Sequence, residues 1–391
     1  MARNIVLAFD GTNNEFGREN TNIVRLVQLL DRDPSAQVLY YDPGVGTLPE
    51  PGTFSSLKKR LSEALGLAFG RGLTWKVGEA YTFLMNAWEP GDRVFLFGFS
   101  RGAYTARVLA GLLHAVGLMP KGNENMVPYA QKLYAAMRHR RTDARTWGDL
   151  CEEFRWTFAK QTPEDPDGRR FAVHYLGVWD TVSSVGWVWD PESFPFTANN
   201  PGITAARHAI AIDERRWFFR QNRLQPSLPS ACVAQQWFPG VHSDVGGGYP
   251  DSDGGLWRSA FAWVLEGAEA AGLVVDDARR QAVLSRTPPS STPCLDPQHE
   301  SLTGAWWLAE GFPKLRSGDH HVRRIAVGLG RRRTIRDGEL IARCALVRLR
   351  ERADYRPPNL SRAFVEAVCR MPDVPSALPY SALGALAPPV P

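Results

Sequence analysis

The stretch that decides the fold reads Arg93-Val94-Phe95-Leu96-Phe97-Gly98-Phe99-Ser100-Arg101-Gly102, and a long apolar segment from Tyr104 to Leu118 follows it. A short apolar run bounded by glycine predicts a buried strand, and the following segment has the length of a helix. The pattern Gly-x-Ser-x-Gly between them is typical of a tight strand-to-helix turn that exposes a serine hydroxyl. Gly98 and Gly102 omit side chains that would collide with the neighbouring strand and helix. We therefore predict a nucleophile elbow with Ser100 at its tip.

Short apolar runs alternate with helical patterns through the first half of the chain. Further strands are predicted at Ile5 to Phe9, Val38 to Tyr41, Phe171 to Trp179 and Val233 to Phe238. This alternation is the signature of strand–helix–strand units around a parallel sheet. The expected fold class is α/β: an α/β-hydrolase-like, mostly parallel sheet flanked by helices, with helical and loop insertions.

The domain organisation follows from where this pattern ends. We expect residues 1–285 to form the hydrolase core and residues 286–391 to form a C-terminal extension packed on the same domain. Residues 48–72 carry a basic amphipathic pattern that fits a lid or membrane contact, and that fits an ordinary surface helix as well. Residues 119–170 predict a helical insertion. The length of 391 residues allows one large domain or two.

Composition and charge exclude several classes of protein. With 44% hydrophobic and 22% charged residues, the chain is globular rather than disordered or fibrous. The net charge is +5, and a run such as Arg331-Arg332-Arg333 could serve an anionic membrane or nucleic acid. The basic residues are scattered, which favours a solvated surface, and no nucleic-acid-binding motif accompanies them. Five widely spaced cysteines without a Cys-x-x-Cys pair argue against a disulfide framework and a structural zinc site. They indicate a reducing compartment.

The first residues predict a strand, because the apolar run from Ile5 to Phe9 is short and ends in Asp10, unlike a signal peptide. No apolar stretch has the length that a transmembrane helix needs. The expected location is the cytoplasm, or outside the cell after export without a cleaved signal peptide.

A serine nucleophile needs a base and an acid, which α/β-hydrolases place at strand ends in the chain order serine, acid, histidine. Asp180 directly follows the predicted strand Phe171 to Trp179, and His242 follows the predicted strand Val233 to Phe238. Order and placement predict a triad of Ser100, Asp180 and His242.

Other acids and histidines fit the triad less well. Asp213 and Glu214 are reserve candidates for the acid, whereas Asp244 lies too close to His242 in the chain and is expected only to support the site. No third ligand with zinc spacing accompanies the His320–His321 pair, so no metal is expected. The remaining histidines are expected in the core or in structural roles (His114, His174, His208) or at the surface (His139, His299).

The oxyanion hole should use the backbone N–H of Arg101 and a second N–H from the turn after the first strand. That turn offers Gly11 or Thr12 as the donor. Asp10 could organise the same turn, and an ordinary Asx turn would also explain these residues.

Five blocks occur in a fixed order along the chain: Phe9–Asn14, Tyr41–Thr47, Gly98–Ala103, Gly177–Val182 and Trp237–Gly247. Together they resemble the α/β-hydrolase domain of the bacterial type VI lipase effectors of the first class and their relatives. A late block, Asp354 to Leu360, is also similar. The resemblance implies Ser100 as nucleophile, Asp180 as acid and His242 as base, with phospholipase A-type activity in the characterised members. Those members are usually longer and carry a membrane-docking module.

The sequence thus predicts a serine-dependent carboxylic ester hydrolase, lipase- or phospholipase A-like, that acts through an acyl-enzyme on Ser100 without a cofactor. Expected partners are a lipid or small ester and, transiently, a membrane surface, but not nucleic acid. The sequence does not indicate a secretion adaptor or immunity protein. A phosphatase of the haloacid-dehalogenase type is set aside, because Ala8 stands where its nucleophilic aspartate would be. A non-catalytic binding or scaffold protein that keeps the fold stays as the alternative.

Overall fold

A central sheet organises the molecule. The computed structural model describes residues 2–11, 14, 16–17, 19–44, 67–137, 144–162, 170–182, 186–187, 190–191, 194–225, 232–285, 292–304, 306–311, 314–317 and 323–384. Its strands are β1 Asn4–Phe9, β2 Gln37–Asp42, β3 Arg93–Phe99, β4 Val173–Trp179, β5 Gly186–Trp187, β6 Asp190–Pro191, β7 Ile203–Ala211, β8 Cys232–Phe238, β9 Lys314–Ser317, β10 Arg323–Ala326, β11 Leu340–Ala342 and β12 Ala377–Pro379.

Eight of these strands form one sheet in the order β2-β1-β3-β4-β7-β8-β11-β12. Neighbours are parallel throughout, except that β12 runs antiparallel to β11 at one edge. Two short antiparallel pairs, β5 with β6 and β9 with β10, lie outside it. The predicted mostly parallel α/β fold is confirmed.

Helices connect the strands and cover the sheet. The α-helices are α1 Asn22–Leu29, α2 Leu67–Ala87, α3 Arg101–Val116, α4 Val127–Ala136, α5 Ala144–Phe158, α6 His242–Gly246, α7 Trp257–Ala270, α8 Asp277–Ser285, α9 Trp306–Glu310, α10 Arg343–Glu351 and α11 Arg362–Cys369. In the described part of the chain, no helix has the length and apolar character needed to cross a bilayer. Residues 45–66, most of the predicted lid segment, lie outside the described residues.

Successive side chains of the central strands point to opposite faces of the sheet, because side chains alternate along a strand. They pack into two separate hydrophobic cores, one on each face. On β3, Leu96 packs into the core beneath α2, α3, α4 and α5, whereas Phe95 and Phe97 face α1 and α7 on the other side. Both faces of the sheet are therefore covered, which is the usual arrangement for a parallel sheet. α4 and α5 lie in the segment predicted to be a helical insertion.

The C-terminal residues build a third core on the same sheet. β11 pairs with β8, and Ile341 lies opposite Trp237. These two side chains are buried in one cluster with Ile210 of β7, Phe364 of α11 and Leu378 of β12. Residues 323–384 thereby reach the strand that precedes His242.

Candidate active site

The elbow at Ser100 adopts a backbone conformation that few L-residues accept. Its φ is 57° and its ψ −122°, between the end of β3 and the start of α3. Such a conformation costs on the order of 1–3 kcal/mol and persists only where its surroundings hold it. Here the Ser100 N–H donates to the carbonyl of Trp179 at 3.1 Å, and its own carbonyl accepts from the N–H groups of Val182 (3.3 Å) and Tyr104 (3.4 Å). The neighbouring strand end therefore holds the turn.

The two elbow glycines fill places where no side chain fits. A methyl group on Gly102 would overlap the carbonyl oxygens of Phe9 and Asp10, and one on Gly98 would lie 2.6 Å from the backbone nitrogen of Ala103. Both obstacles are backbone atoms, which cannot turn aside as a flexible side chain can. Gly102 is thus required by the close approach of α3 to the end of β1, and Gly98 by the tight turn of the chain from β3 into α3.

Asp180 and His242, from two different strand ends, meet in a buried hydrogen bond. His242 Nδ1 lies 2.5 Å from Asp180 Oδ2, and Asp180 Oδ1 accepts the Ala211 N–H at 2.9 Å. The imidazole also packs against Phe99, the residue before Ser100, with 4.6 Å between ring centroids. Parallel pairing places Ser100 beside Asp180, since Phe99 of β3 lies opposite Trp179 of β4.

The electrostatics of this pair suit a neutral base beside a charged carboxylate. Burial alone would raise the pKa of Asp180, but the Arg333 guanidinium and the bond to His242 outweigh it and hold that pKa well below its usual range. Burial lowers the pKa of His242 below its ordinary value, although Asp180 opposes the shift. The imidazole is therefore deprotonated near pH 7 and able to accept a proton.

Arg333 is a site residue that the sequence interpretation missed. Its Nη1 donates to Asp180 Oδ1 at 2.5 Å and its Nη2 to Asp180 Oδ2 at 2.9 Å, and the guanidinium also reaches the carbonyls of Ala211 and Phe219. The prediction that Arg331-Arg332-Arg333 forms a solvated surface is wrong for Arg333, whose side chain is 4% exposed. Nothing local in an arginine run distinguishes the buried member, because its partner lies 153 residues away in the chain.

The two reserve acids support the histidine loop instead of its ring. Asp213 Oδ2 accepts the Gly240 N–H and the Tyr355 hydroxyl, each at 2.8 Å. Glu214 Oε2 accepts the His242 N–H at 3.2 Å. Burial raises the pKa of Asp213 to about 6. Glu214 is buried too, but the ion pair with Arg216 outweighs burial and lowers its pKa to about 2.

Asp244 forms a second acid–histidine pair beside the first. Its Oδ1 lies 2.6 Å from His299 Nδ1, and its Oδ2 accepts the N–H groups of Val241 and His299. The His299 ring stacks on Tyr249 at 3.7 Å, and the bond to Asp244 raises the pKa of His299. His299, expected at the surface, is in fact half-buried and helps to fix the loop that carries His242.

The turn after β1 lies against the elbow and is organised by Asp10. A methyl group on Gly11 would be 3.3 Å from the Ser100 side chain. The Gly11 N–H, however, donates to Asp10 Oδ1 at 2.7 Å, and Asp10 Oδ2 accepts the hydroxyls of Thr21 and Tyr41. Burial raises the pKa of Asp10 to about 6. Thr12 lies outside the described residues, and the other predicted oxyanion donor, Arg101, is the first residue of α3.

The remaining histidines have other surroundings. His208 is fully buried, accepts the Thr181 N–H at 3.2 Å and so supports the segment after Asp180; burial lowers its pKa to about 3. The His174 ring bonds to the Ala271 carbonyl. Burial lowers the pKa of His114 to about 4.

Within the described ranges, no group of three or more histidine, cysteine or acidic side chains could hold a metal ion. His139, His320 and His321 lie outside those ranges.

An aromatic wall extends from the imidazole to the surface. The Phe219 ring lies 4.8 Å from the His242 ring and 5.4 Å from Trp306, and the Arg216 guanidinium lies over both Phe219 and Trp306. The next residue, Trp307, is 51% exposed. One side of the candidate site is therefore apolar with a cation along it.

A comparison with known proteins identifies a family whose model matches most of this chain. The model of the phospholipase effector Tle1-like catalytic domain of the type VI secretion system matches residues 3–267. An uncharacterized protein of Saccharomyces cerevisiae, YEL023C, is 37% identical over 232 residues, which are 57% of this chain and 33% of the yeast protein.

Two solved structures are similar at lower levels. An uncharacterized protein from Pseudomonas aeruginosa has a TM-score of 0.44 at 19% identity, with 74% of this chain and 49% of that one covered. The Tle1 effector bound to the VgrG spike of the type 6 secretion system has a TM-score of 0.35 at 21% identity, with 64% and 52% covered. The chain thus spans about a third of the yeast relative and about half of each solved structure.

Proposed function

Since the chain belongs to the Tle1-like phospholipase effector family of the type VI secretion system, we propose that it is a serine-dependent carboxylic ester hydrolase of lipase or phospholipase A type. One observation carries the serine mechanism: the buried bond between His242 Nδ1 and Asp180 Oδ2, with the imidazole packed against the strand end that presents Ser100. A histidine oriented by a carboxylate beside a strained serine is the arrangement that activates a hydroxyl.

The proposed reaction runs through an acyl-enzyme. Ser100 Oγ attacks the ester carbonyl while Nε2 of His242 takes its proton, and Asp180 fixes the ring tautomer and stabilises the imidazolium. The imidazolium then protonates the departing alcohol, so that the acyl group remains on Ser100. Water, deprotonated by His242, releases the carboxylic acid and restores the hydroxyl.

The tetrahedral intermediate needs donors for its oxygen anion. The Arg101 N–H, at the start of α3, is the first, because helix N-termini present N–H groups and a favourable dipole to an anion. We assign the second donor to the Gly11–Thr12 turn. If the donor is the Gly11 N–H, it must leave Asp10 Oδ1 when the oxyanion forms.

The surroundings of the site favour a lipid ester over a small polar one. The aromatic wall of Phe219 and Trp306 ends at Trp307, and nearby Leu329 is 66% exposed. The Arg215 side chain bonds to the Gly330 carbonyl and lies near Trp307, so that apolar and cationic groups alternate there. Such a rim suits transient contact with an anionic membrane surface.

The test of the serine mechanism is a substrate panel. Wild type and Ser100→Ala are compared on p-nitrophenyl butyrate, p-nitrophenyl laurate and phosphatidylglycerol vesicles, with the exposed Ser252→Ala as the matched control. We expect Ser100→Ala to lose about 10⁶-fold in kcat, as removal of a serine nucleophile does elsewhere. Undiminished turnover by a folded Ser100→Ala protein would refute the assignment, and a wild type inactive on every ester would favour the non-catalytic alternative.

The membrane contact has its own test. Trp307→Ala should reduce sedimentation with phosphatidylglycerol vesicles and hydrolysis of those vesicles, yet leave p-nitrophenyl butyrate turnover unchanged. The control is Trp75→Ala on α2, since Trp75 is about equally exposed at 55%. Equal vesicle binding by the two variants would remove Trp307 from the proposal.

Delivery is a separate proposal that rests on the family alone. We propose that a type VI secretion apparatus exports the protein without a cleaved signal peptide. We also propose that an adaptor or immunity protein binds to it. Secretion measured in cells with and without a working apparatus tests the export. Equal amounts of the protein outside cells with and without the apparatus would contradict the proposed export.

A further inference from the structure

Arg333 lies outside the triad, yet each of its two terminal nitrogens donates two hydrogen bonds. Its two terminal nitrogens bind the two oxygens of the Asp180 carboxylate, and each also donates to a backbone carbonyl. A guanidinium and a carboxylate in this fork arrangement lie in one plane, so the pair fixes the direction of the carboxylate as well as its charge. The carboxylate plane determines where Oδ2 points, and Oδ2 is the atom that faces His242.

Ordinary stability does not explain this pair. Burying a guanidinium and a carboxylate costs several kcal/mol of desolvation per ion, and well-packed apolar residues often replace such pairs without loss. An arginine kept in so costly a place suggests a role in orientation. A further side chain holds the backbone of Arg333 in place: Asn359 Nδ2 donates to the Arg333 carbonyl at 3.1 Å and to the Ile212 carbonyl at 2.9 Å.

We propose that Arg333 is a positioning residue for the acid–base pair: its guanidinium fork sets the plane and the charge of the Asp180 carboxylate, and so holds the His242 imidazole in the productive orientation and the neutral state. This rests on the proposed function. Arg333 lies after residue 267, where the match to the family model ends, so a residue outside the matched segment would position the acid and the base.

The charge of Arg333 should also set the lower pH limit of activity. With the guanidinium in place, the Arg333–Asp180 pair is neutral overall, so Asp180 stabilises a proton on His242 less than an unpaired carboxylate would. Without it, the buried Asp180–His242 pair carries a net negative charge and takes up a proton at higher pH, whichever of the two residues holds it. The other charged or titratable groups near the pair, all unchanged by the substitution, are Glu214, Arg216, His208 and Arg107.

The test is Arg333→Gln, with Arg331→Gln as the matched control, because Arg331 is exposed and two residues away. Active sites are first counted with a fluorophosphonate, so that kcat refers to folded, reactive enzyme. We expect Arg333→Gln to lose about 10²-fold in kcat, the effect of a small misplacement of a catalytic group, with KM nearly unchanged. The acidic limb of its kcat/KM profile should move up by about one pH unit. Arg331→Gln should match the wild type.

Each outcome decides. A purely structural Arg333 would lower the number of titrated sites but leave kcat per site and the acidic limb unmoved, which would overturn the proposal. Arg333→Lys keeps the charge without the fork, so it should retain the wild-type limb yet lose kcat; wild-type kcat in this variant would contradict the orienting role.

Failure of the proposed function looks different, because the wild type itself would then be neither labelled nor active.

Discussion

The two halves of the candidate site are built in different ways. The residues of the nucleophile half are consecutive: a strand, the turn at Ser100 and a helix follow one another within 24 residues of chain, Arg93 to Val116. Its few long-range contacts are backbone bonds, from Ser100 to Trp179 and Val182. The acid–base half is assembled from distant segments, because Asp180 and His242 depend on side chains such as Arg333 and Tyr355. A local motif can be predicted from its own residues, whereas a network of long-range side-chain bonds can be found only in the folded chain.

Within the acid–base half, the strongest effect should come from a substitution of the acid, Asp180. Asp180→Asn keeps the shape of the side chain but favours the wrong imidazole tautomer, so kcat should fall about 10⁴-fold. The comparison variant is Asp213→Asn, which should cost stability but far less kcat, because Asp213 binds the Gly240 N–H and not the imidazole. Steady-state kinetics on p-nitrophenyl butyrate measures both. If Asp213→Asn were the more damaging substitution, the assignment of the acid would be wrong.

In the nucleophile half, a substitution at an elbow glycine should destabilise the fold by steric overlap. Gly102→Ala drives a methyl group into the carbonyl oxygens of Phe9 and Asp10, so the free energy of unfolding should fall by about 3 kcal/mol, with loss of activity. The control is Gly148→Ala in α5, where a methyl group meets nothing within 4 Å. It should instead stabilise the protein by about 0.5–1 kcal/mol. Urea denaturation measures both values, and destabilisation of equal size in both would argue against the overlap.

Two buried carboxyls, Asp10 in the nucleophile half and Asp180 in the acid–base half, have pKa values that are shifted in opposite directions. Asp10, whose pKa burial raises to about 6, favours folding when protonated; this contribution is complete below about pH 4 and is lost as the pH rises through about 6. Asp10→Asn stays neutral, so relative to the wild type its free energy of unfolding should rise by about 2–3 kcal/mol between pH 4 and 7. Urea denaturation over this pH range measures the trend. The control is the exposed Asp277→Asn, and a flat difference for Asp10→Asn would contradict the raised pKa.

The smallest effect should come from the outer contacts of the acid–base half. Tyr355→Phe removes the hydrogen bond to Asp213 and should cost about 1–2 kcal/mol of stability, with a several-fold fall in kcat as the Gly240 loop loosens. Tyr380→Phe removes a comparable bond, to the Ser361 N–H, within the same C-terminal core. It should lower stability without lowering kcat. Equal kinetic effects in the two variants would show that Tyr355 acts only through overall stability.

The sequence predicted the mostly parallel α/β sheet and the strand-to-helix setting of Ser100, because alternating apolar runs and paired glycines have direct local causes. It also placed Asp180 and His242 after two different strands, β4 and β8, whose carboxyl ends lie at the same edge of the parallel sheet with β7 between them. It misjudged Arg333 and His299. Both lie in the C-terminal part, where burial depends on how that segment folds back on β7 and β8 and leaves no periodic signal.

The late block is a partial exception. Asp354 to Leu360 resembled the family without any assigned role, and the structure gives two of its residues specific partners. Tyr355 donates to Asp213, and Asn359 holds the Arg333 carbonyl. The signal was present in the sequence, but only the fold connects it to the site.

The most direct test of the central claim is peptide mapping after reaction with a fluorophosphonate, which labels only an activated serine. The account predicts one adduct per chain, on the peptide that contains Ser100, and a labelling rate that falls steeply in His242→Gln. A folded wild-type protein that takes up no label, or that carries it on another serine, would contradict the account.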